Sequence, residues 1–277
     1  MRPATRPAPS PHRPATGSAS DRGRRRHAAD AVAVKAGPDG LGVAVADGVG
    51  DSAAAAVAAR AAADAAAELA AHDGAVAALL AAGEAVRRAQ DEDASRPRPG
   101  ILHRDAPGDA VMVVAAVRPG HCEIAWVGDC RAYLWDDAVL RLLTKDQTAA
   151  QAVRDGGGTP PRNWENVVME TVAGATVETL GHREVPPAVG RLALLSGGVH
   201  HELSEHEIAA FLERSPDCAA AARGLTDMAL LGGAGDNAGA TVIDMPILPR
   251  AAYPIGSTNP RMPAVPAEPE RQAAETA

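Results

Sequence analysis

Aromatic side chains are nearly missing from this 277-residue chain, which holds one Phe, two Tyr and three Trp. The core must therefore be filled mainly by Ala, Val and Leu, and is shallow in side-chain volume. Lysine is almost as rare, at Lys35 and Lys145 only, and a net charge of -8 argues against a general nucleic-acid-binding role. Cysteine is limited to Cys122, Cys130 and Cys218, too few and too scattered for a disulfide framework or a zinc site with paired spacing. That usage points to a reducing compartment. No run reaches the ~18 uninterrupted apolar residues needed to span a bilayer, because Arg60, Asp64 and Glu68 break the longest alanine-rich stretch. The Arg- and Pro-rich amino end also lacks an apolar signal segment. The expectation is a cytoplasmic protein with neither membrane nor nucleic acid as partner. What is present, 46% apolar residues, is enough for a sizeable core.

Composition divides the chain into three parts. Residues 1–18, rich in Arg, Pro and Ala, and residues 248–277, rich in Pro and Ala without period, are predicted to be disordered tails around one folded domain at 19–247. Pro11 and Pro14 have Pro-x-x-Pro spacing, but a linker is the simpler reading. The domain opens with two apolar runs, 30–34 and 41–46, joined by Gly37-Pro38-Asp39-Gly40, a hairpin pattern. Ser52 can cap a helix running to about His72, and Asp73-Gly74 separates it from a second helix over 75–90. The charged, Pro-bearing stretch 91–109 reads as a surface loop. An antiparallel meander follows over 110–142, with turns at Pro119-Gly120 and Asp136-Asp137, and then a short helix around 166–172. An apolar strand over 191–196 precedes a capping box, Ser204 with Glu207, that opens a helix through Leu212. A last helix over 216–231 and a closing strand over 240–245 complete an α+β pattern of hairpins and helix blocks.

Three acidic turns stand beside apolar strands: Asp47-Gly48, Gly128-Asp129 and Gly235-Asp236-Asn237. Any one of them is an ordinary turn. Carboxylates delivered from several strand ends to one rim are, however, what a hard divalent cation needs, since Mg²⁺ or Mn²⁺ takes oxygen ligands and keeps several waters. Ser196 lacks the flanking glycine pattern of a nucleophile elbow, Cys130 reads as a small buried residue, and Gly156-Gly157-Gly158 lacks the Lys-Ser/Thr of a phosphate loop.

The ordered set Asp47-Gly48-Val49-Gly50, Val127-Gly128-Asp129-Cys130-Arg131-Ala132-Tyr133-Leu134, Leu142-Leu143-Thr144-Lys145-Asp146, Leu194-Leu195-Ser196-Gly197-Gly198 and Gly235-Asp236-Asn237 resembles the PPM (protein phosphatase 2C) family of metal-dependent serine/threonine phosphatases. The resemblance covers roughly residues 20–246. It implies a four-layer α-β-β-α sandwich of two mainly antiparallel sheets. It further implies Asp47 as the carboxylate bridging two Mn²⁺ or Mg²⁺ ions, Gly48 as a carbonyl ligand, Asp236 as a terminal ligand and Asp129 as a ligand of a third, weaker metal. Arg25 looks like the arginine that grips the substrate phosphate, with Arg24 and Arg26 as alternatives in the same cluster. The implied reaction is attack of water on a phosphoserine or phosphothreonine protein without a phospho-enzyme, within a serine/threonine kinase pathway.

Two departures weaken that expectation. Where the family usually has Asn-Glu-Asp this chain reads Ala28-Ala29-Asp30, and where it has Ser-Asp-Gly this chain reads Ser196-Gly197-Gly198, so two acidic ligands are lost. Two dications about 4 Å apart repel by roughly 16 kcal/mol at an effective dielectric near 20, and carboxylates must offset it. One weakly held ion is expected rather than two. His27, His200 and His201 are imidazoles close to the two losses that could stand in for them. The leading expectation is a phosphatase of reduced activity. Its competitor is a pseudophosphatase that keeps the fold to bind a phosphoprotein or regulate a kinase pathway.

Overall fold

The computed structural model describes residues 14–38, 40–95, 106–118, 120–136, 138–185, 190–233 and 235–245. The predicted tails before residue 14 and from 246 onward, Pro11 included, lie outside the described residues, as do Pro97, Pro99, Pro119 and Asp137. In chain order the elements are β1 (Thr16–Asp21), β2 (Asp30–Ala36), β3 (Leu41–Gly48), α1 (Ala53–Asp73), α2 (Ala75–Ser95), β4 (Ala110–Arg118), β5 (His121–Val127), β6 (Arg131–Trp135), β7 (Leu140–Leu142), α3 (Ala149–Asp155), β8 (Gly181–Val185), β9 (Gly190–Leu195), α4 (Gly197–His200), α5 (Glu205–Arg214), α6 (Cys218–Gly232) and β10 (Ala238–Met245). They form two antiparallel five-stranded sheets, β2-β3-β4-β5-β8 and β1-β10-β9-β6-β7 in spatial order.

Three apolar layers make the sandwich. Val43, Val45, Val113, Ile124, Leu134, Leu192 and Ile243 fill the space between the sheets. The outer face of the first sheet packs against α1 and α2 through Ala59, Ala62, Ala66 and Leu79, and that of the second packs against Ile208, Leu212 and Leu225 of α5 and α6. This is the α-β-β-α order expected. The shortage of aromatics has a direct structural counterpart in how closely α1 approaches β3. A Cβ on Gly42 would stand 2.0 Å from the Ala67 carbonyl oxygen, and one on Gly48 would stand 2.7 Å from that of Ala55. Only a helix surfaced with alanine can lie at that distance from glycine-bearing strands.

The structure corrects several boundaries. Residues 16–18, assigned to the amino-terminal tail, belong to β1, where Thr16 faces Ile243 and Ser18 shares a 2.9 Å hydroxyl hydrogen bond with Thr241. Helix α2 runs on to Ser95, into the stretch read as loop, because its sequence contains no proline before Pro97. The helix expected over 166–172 is not formed. Val168 bridges Thr148 and the Met169 N–H donates to the Gln147 carbonyl, so β-type pairing outcompetes helix in a segment rich in valine. Strands β1 and β8, whose polar residues hide them from a hydropathy reading, complete the sheet edges. Among the described residues no helix is long and apolar enough to cross a membrane.

Candidate functional site

The acidic turns converge at one end of the sandwich. Asp30 ends one arm of the β2–β3 hairpin and lies directly opposite Asp47 in register, where β3 breaks into Gly48-Val49-Gly50. Gly50 has φ +92°, a left-handed turn that frees the chain to enter α1, capped by the Ser52 hydroxyl accepting from Ala55 N–H. Asp129 follows Gly128, whose φ of +84° sets the β5–β6 turn, and Gln147 holds that turn with both its main chain and its side chain. Asp236 precedes β10. Arg25, Asp47, Gly48, Asp129 and Asp236 line one pocket of about 170 Å³, with Gly197 and His201 beside them. Of the three neighbouring arginines, Arg25 is the one in the pocket wall.

Residues to which the sequence assigned no supporting role hold this arrangement. The Asn237 side chain accepts from Ala29 N–H at 2.8 Å and donates to the Arg22 and His27 carbonyls at 2.6 and 3.0 Å, so it fixes the whole loop carrying Arg25. The Asp51 carboxylate accepts from the Arg26 and His27 N–H groups at 3.1 and 3.0 Å and from His27 Nδ1 at 3.2 Å. His27 is thus bound to Asp51. The Ser196 hydroxyl donates to Asp30 Oδ2 at 2.6 Å and accepts from Gly239 N–H at 2.9 Å. Arg131 grips Asp146 with two hydrogen bonds of 2.9 and 2.7 Å. An acidic or amide residue one or two positions from a glycine turn was the available signal for Asn237 and Asp51. Its meaning depended on a partner loop distant in sequence.

Burial and mutual repulsion dominate the electrostatics. Burial raises the Asp30 carboxyl to about 7 despite the bond from Ser196, and the nearby Asp236 charge adds to the rise. Burial, then the charges of Asp30, Asp129 and Asp236, push Asp47 well above its ordinary value. Asp129 is raised by burial and pulled back by His201. These acids concentrate more negative charge than the described cations of the pocket neutralise, which favours a cation among them. Arg25 Nη2 stands 2.7 Å from Asp236 Oδ2.

Ala29 and Gly197 offer no side-chain oxygen; Asp47, Gly48, Asp129 and Asp236 bring oxygens to the pocket, Asp236 being ion-paired, and Asp30 Oδ1 is buried without a partner among the described residues. Oxygen donors of this kind suit a divalent cation. Cys130 is buried and its thiol is pushed well up by burial, so it is no nucleophile here. Gly156 to Gly158 close α3 and are not among the residues that line this pocket.

A sequence profile for protein phosphatase 2C matches residues 19–230. The serine/threonine protein phosphatase PstP of Mycobacterium tuberculosis is 32% identical over 190 residues, which is 66% of this chain and 34% of that protein. The chain therefore spans about a third of the length of the curated relatives it matches. The crystal structure of Mycobacterium tuberculosis PstP/Ppp superimposes with a TM-score of 0.68 at 28% identity, covering 84% of this chain and 98% of that one. PppA, described as a key regulatory component of T6SS in Pseudomonas aeruginosa, gives 0.68 at 25% identity, covering 84% and 97%. The PstP catalytic domain in complex with two manganese ions gives 0.64 at 28% identity, covering 84% and 98%.

Proposed function

The chain belongs to the protein phosphatase 2C family, and from that membership we propose that it is a metal-dependent phosphoserine/phosphothreonine protein phosphatase of reduced activity. The observation that carries the reading is the convergence of Arg25, Asp47, Gly48, Asp129 and Asp236 on one small pocket. Arg25 would hold the phosphoryl oxygens, a role its fork geometry suits once it leaves Asp236. Asp47, the Gly48 carbonyl and Asp236 are the groups proposed to hold Mn²⁺ or Mg²⁺, one ion rather than two, with Asp129 alongside. A bound dication would neutralise phosphate charge and acidify a water. Ser196 and Asp30 keep the Asp47 strand end in place.

A second reading is favoured by the Arg25–Asp236 pair together with Ala29 and Gly197. With those ligands lost and Asp236 neutralised, the domain would bind a phosphorylated partner of a serine/threonine kinase pathway without hydrolysing it. The three buried free cysteines suit a reducing cytoplasmic setting for either reading. Hydrolysis of a phosphoaryl ester and a phosphothreonine peptide across Mn²⁺ and Mg²⁺ titrations separates the two. Metal-dependent turnover abolished by Asp47→Asn supports the enzyme, and binding of the phosphopeptide with no turnover supports the second reading.

A further inference from the structure

The short helix α4 puts two adjacent imidazoles beside Asp129. His200 points inward and is 5% exposed, while His201, at the end of α4, stands at the pocket rim. One ring nitrogen of each and one Asp129 carboxylate oxygen lie within 4.8 Å of one another. His200 Nε2 is 2.9 Å from the Asp129 carbonyl oxygen, so this nitrogen carries the proton and Nδ1 is left as a bare lone pair. That Nδ1 is buried and has no hydrogen-bond partner among the described residues. A buried acceptor left unmatched is uncommon in a folded protein, and a protein carbonyl accepting from the opposite ring nitrogen is how ligating imidazoles are oriented.

The position of His201 answers the loss at Gly197. A Cβ built on Gly197 would stand 3.3 Å from Asp47 Oδ2 and 3.7 Å from His201 Nδ1. The imidazole therefore borders the space that an acidic side chain at position 197 would occupy, next to the same Asp47 oxygen.

The geometry points to a transition-metal site held by Asp129, His200 and His201, beside and distinct from the oxygen donors Asp47, Gly48 and Asp236. Two imidazoles and one carboxylate favour Zn²⁺, Co²⁺ or Fe²⁺ over Mg²⁺, because nitrogen donors suit those ions and Mg²⁺ sheds its water reluctantly. Bringing the three donors to a common ion asks for side-chain rotation of order 1 Å, given bonds of about 2.0–2.2 Å. The catalytic use of this ion rests on the phosphatase reading. Its binding does not.

The test is titration of the chelator-stripped full chain with Co²⁺, followed by visible absorption, and with Zn²⁺ and Mg²⁺ by calorimetry. One Co²⁺ per chain is expected, with ligand-field bands, and Zn²⁺ binding at least ~100-fold tighter than Mg²⁺. Asp129→Asn and His201→Ala should each weaken Co²⁺ at least ~100-fold, more than loss of an outer partner. Asp236→Asn should retain the bands. Circular dichroism confirms that each variant is folded, and His200→Gln is read only alongside it. Co²⁺ binding unchanged in His201→Ala, tighter binding of Mg²⁺ than of Zn²⁺, or no Co²⁺ bound at all overturns the site. Mg²⁺-dependent turnover without Co²⁺ binding would overturn this site and leave the phosphatase reading standing. Co²⁺ binding without turnover in any metal would do the reverse.

Discussion

Arg25 Nη2 lies 2.7 Å from Asp236 Oδ2, so the guanidinium proposed to hold a phosphate is engaged by a carboxylate proposed to hold a metal. Both side chains are about one-third to one-half exposed, at 35% and 46%, which keeps the pair weak enough to be exchanged. In the proposed site, phosphate would compete with Asp236 for Arg25, and a cation with Arg25 for Asp236.

Arg25→Ala separates those two effects. The variant should show weaker phosphopeptide binding and, because Asp236 is released, a few-fold tighter Mn²⁺ affinity, the scale of an exposed ion pair. Phosphopeptide binding by fluorescence anisotropy and Mn²⁺ binding by calorimetry read the two directions separately. A variant that weakens both would show that Arg25 supports the site only structurally.

Restoring the missing acids tests the donor-set argument. Ala29→Glu with Gly197→Asp should raise metal-dependent hydrolysis of a phosphoaryl ester at least ~10-fold and add a second bound Mn²⁺. Gly197→Asp alone should bring its carboxylate beside the His201 ring, whose Cε1 lies 3.6 Å from the new Cβ. Stoichiometry by calorimetry and initial rates are the two measurements.

Asn237→Ala removes three hydrogen bonds that bind the Arg25 loop to β10 and strands the Ala29 N–H. A loss of about 2–3 kcal/mol in unfolding free energy is expected. Denaturant unfolding followed by circular dichroism gives the value, and a change below about 0.5 kcal/mol would contradict the clamp.

Asp51 carries a pH dependence whose sign can be worked out. Backbone donation from Arg26 and His27 holds its carboxyl below the ordinary 3.8, so the folded state binds its proton less readily than the unfolded chain. Its contribution is complete above about pH 4 and is lost as the pH falls through the folded value. Thermal unfolding midpoints measured from pH 5 to pH 3 should therefore drop further in the native chain than in Asp51→Asn.

The thiols should be silent. Burial raises Cys122 and Cys218 to about 12 and Cys130 well above its usual range. At pH 8 a disulfide exchange reagent should label none of the three until denaturant is added, and then all three. Rapid labelling of the native protein would contradict this burial.

Much of the fold was legible in the sequence. The Gly37–Gly40 turn, the Ser52 cap, the Ser204–Glu207 capping box and the alternating runs of β3 to β6 act within a few residues, so local pattern predicts them. The polar edge strands β1 and β8 escaped because their pairing partners, not their own hydropathy, make them strands. The segment at 166–172 misled because helical spacing there competes with a bridge to Thr148. The order of Asp47, Asp129 and Asp236 was readable without coordinates.

The chain by itself determined which chemical groups are on hand and in what order they occur, since composition, turn chemistry and periodicity are local properties. Only the tertiary structure decided which groups meet: Arg25 with Asp236, Asn237 with the 22–29 loop, and Asp129 with His200 and His201. These contacts join residues from 71 to 215 positions apart. Their geometry is set by sheet register and by glycine-permitted close packing, which no local pattern encodes.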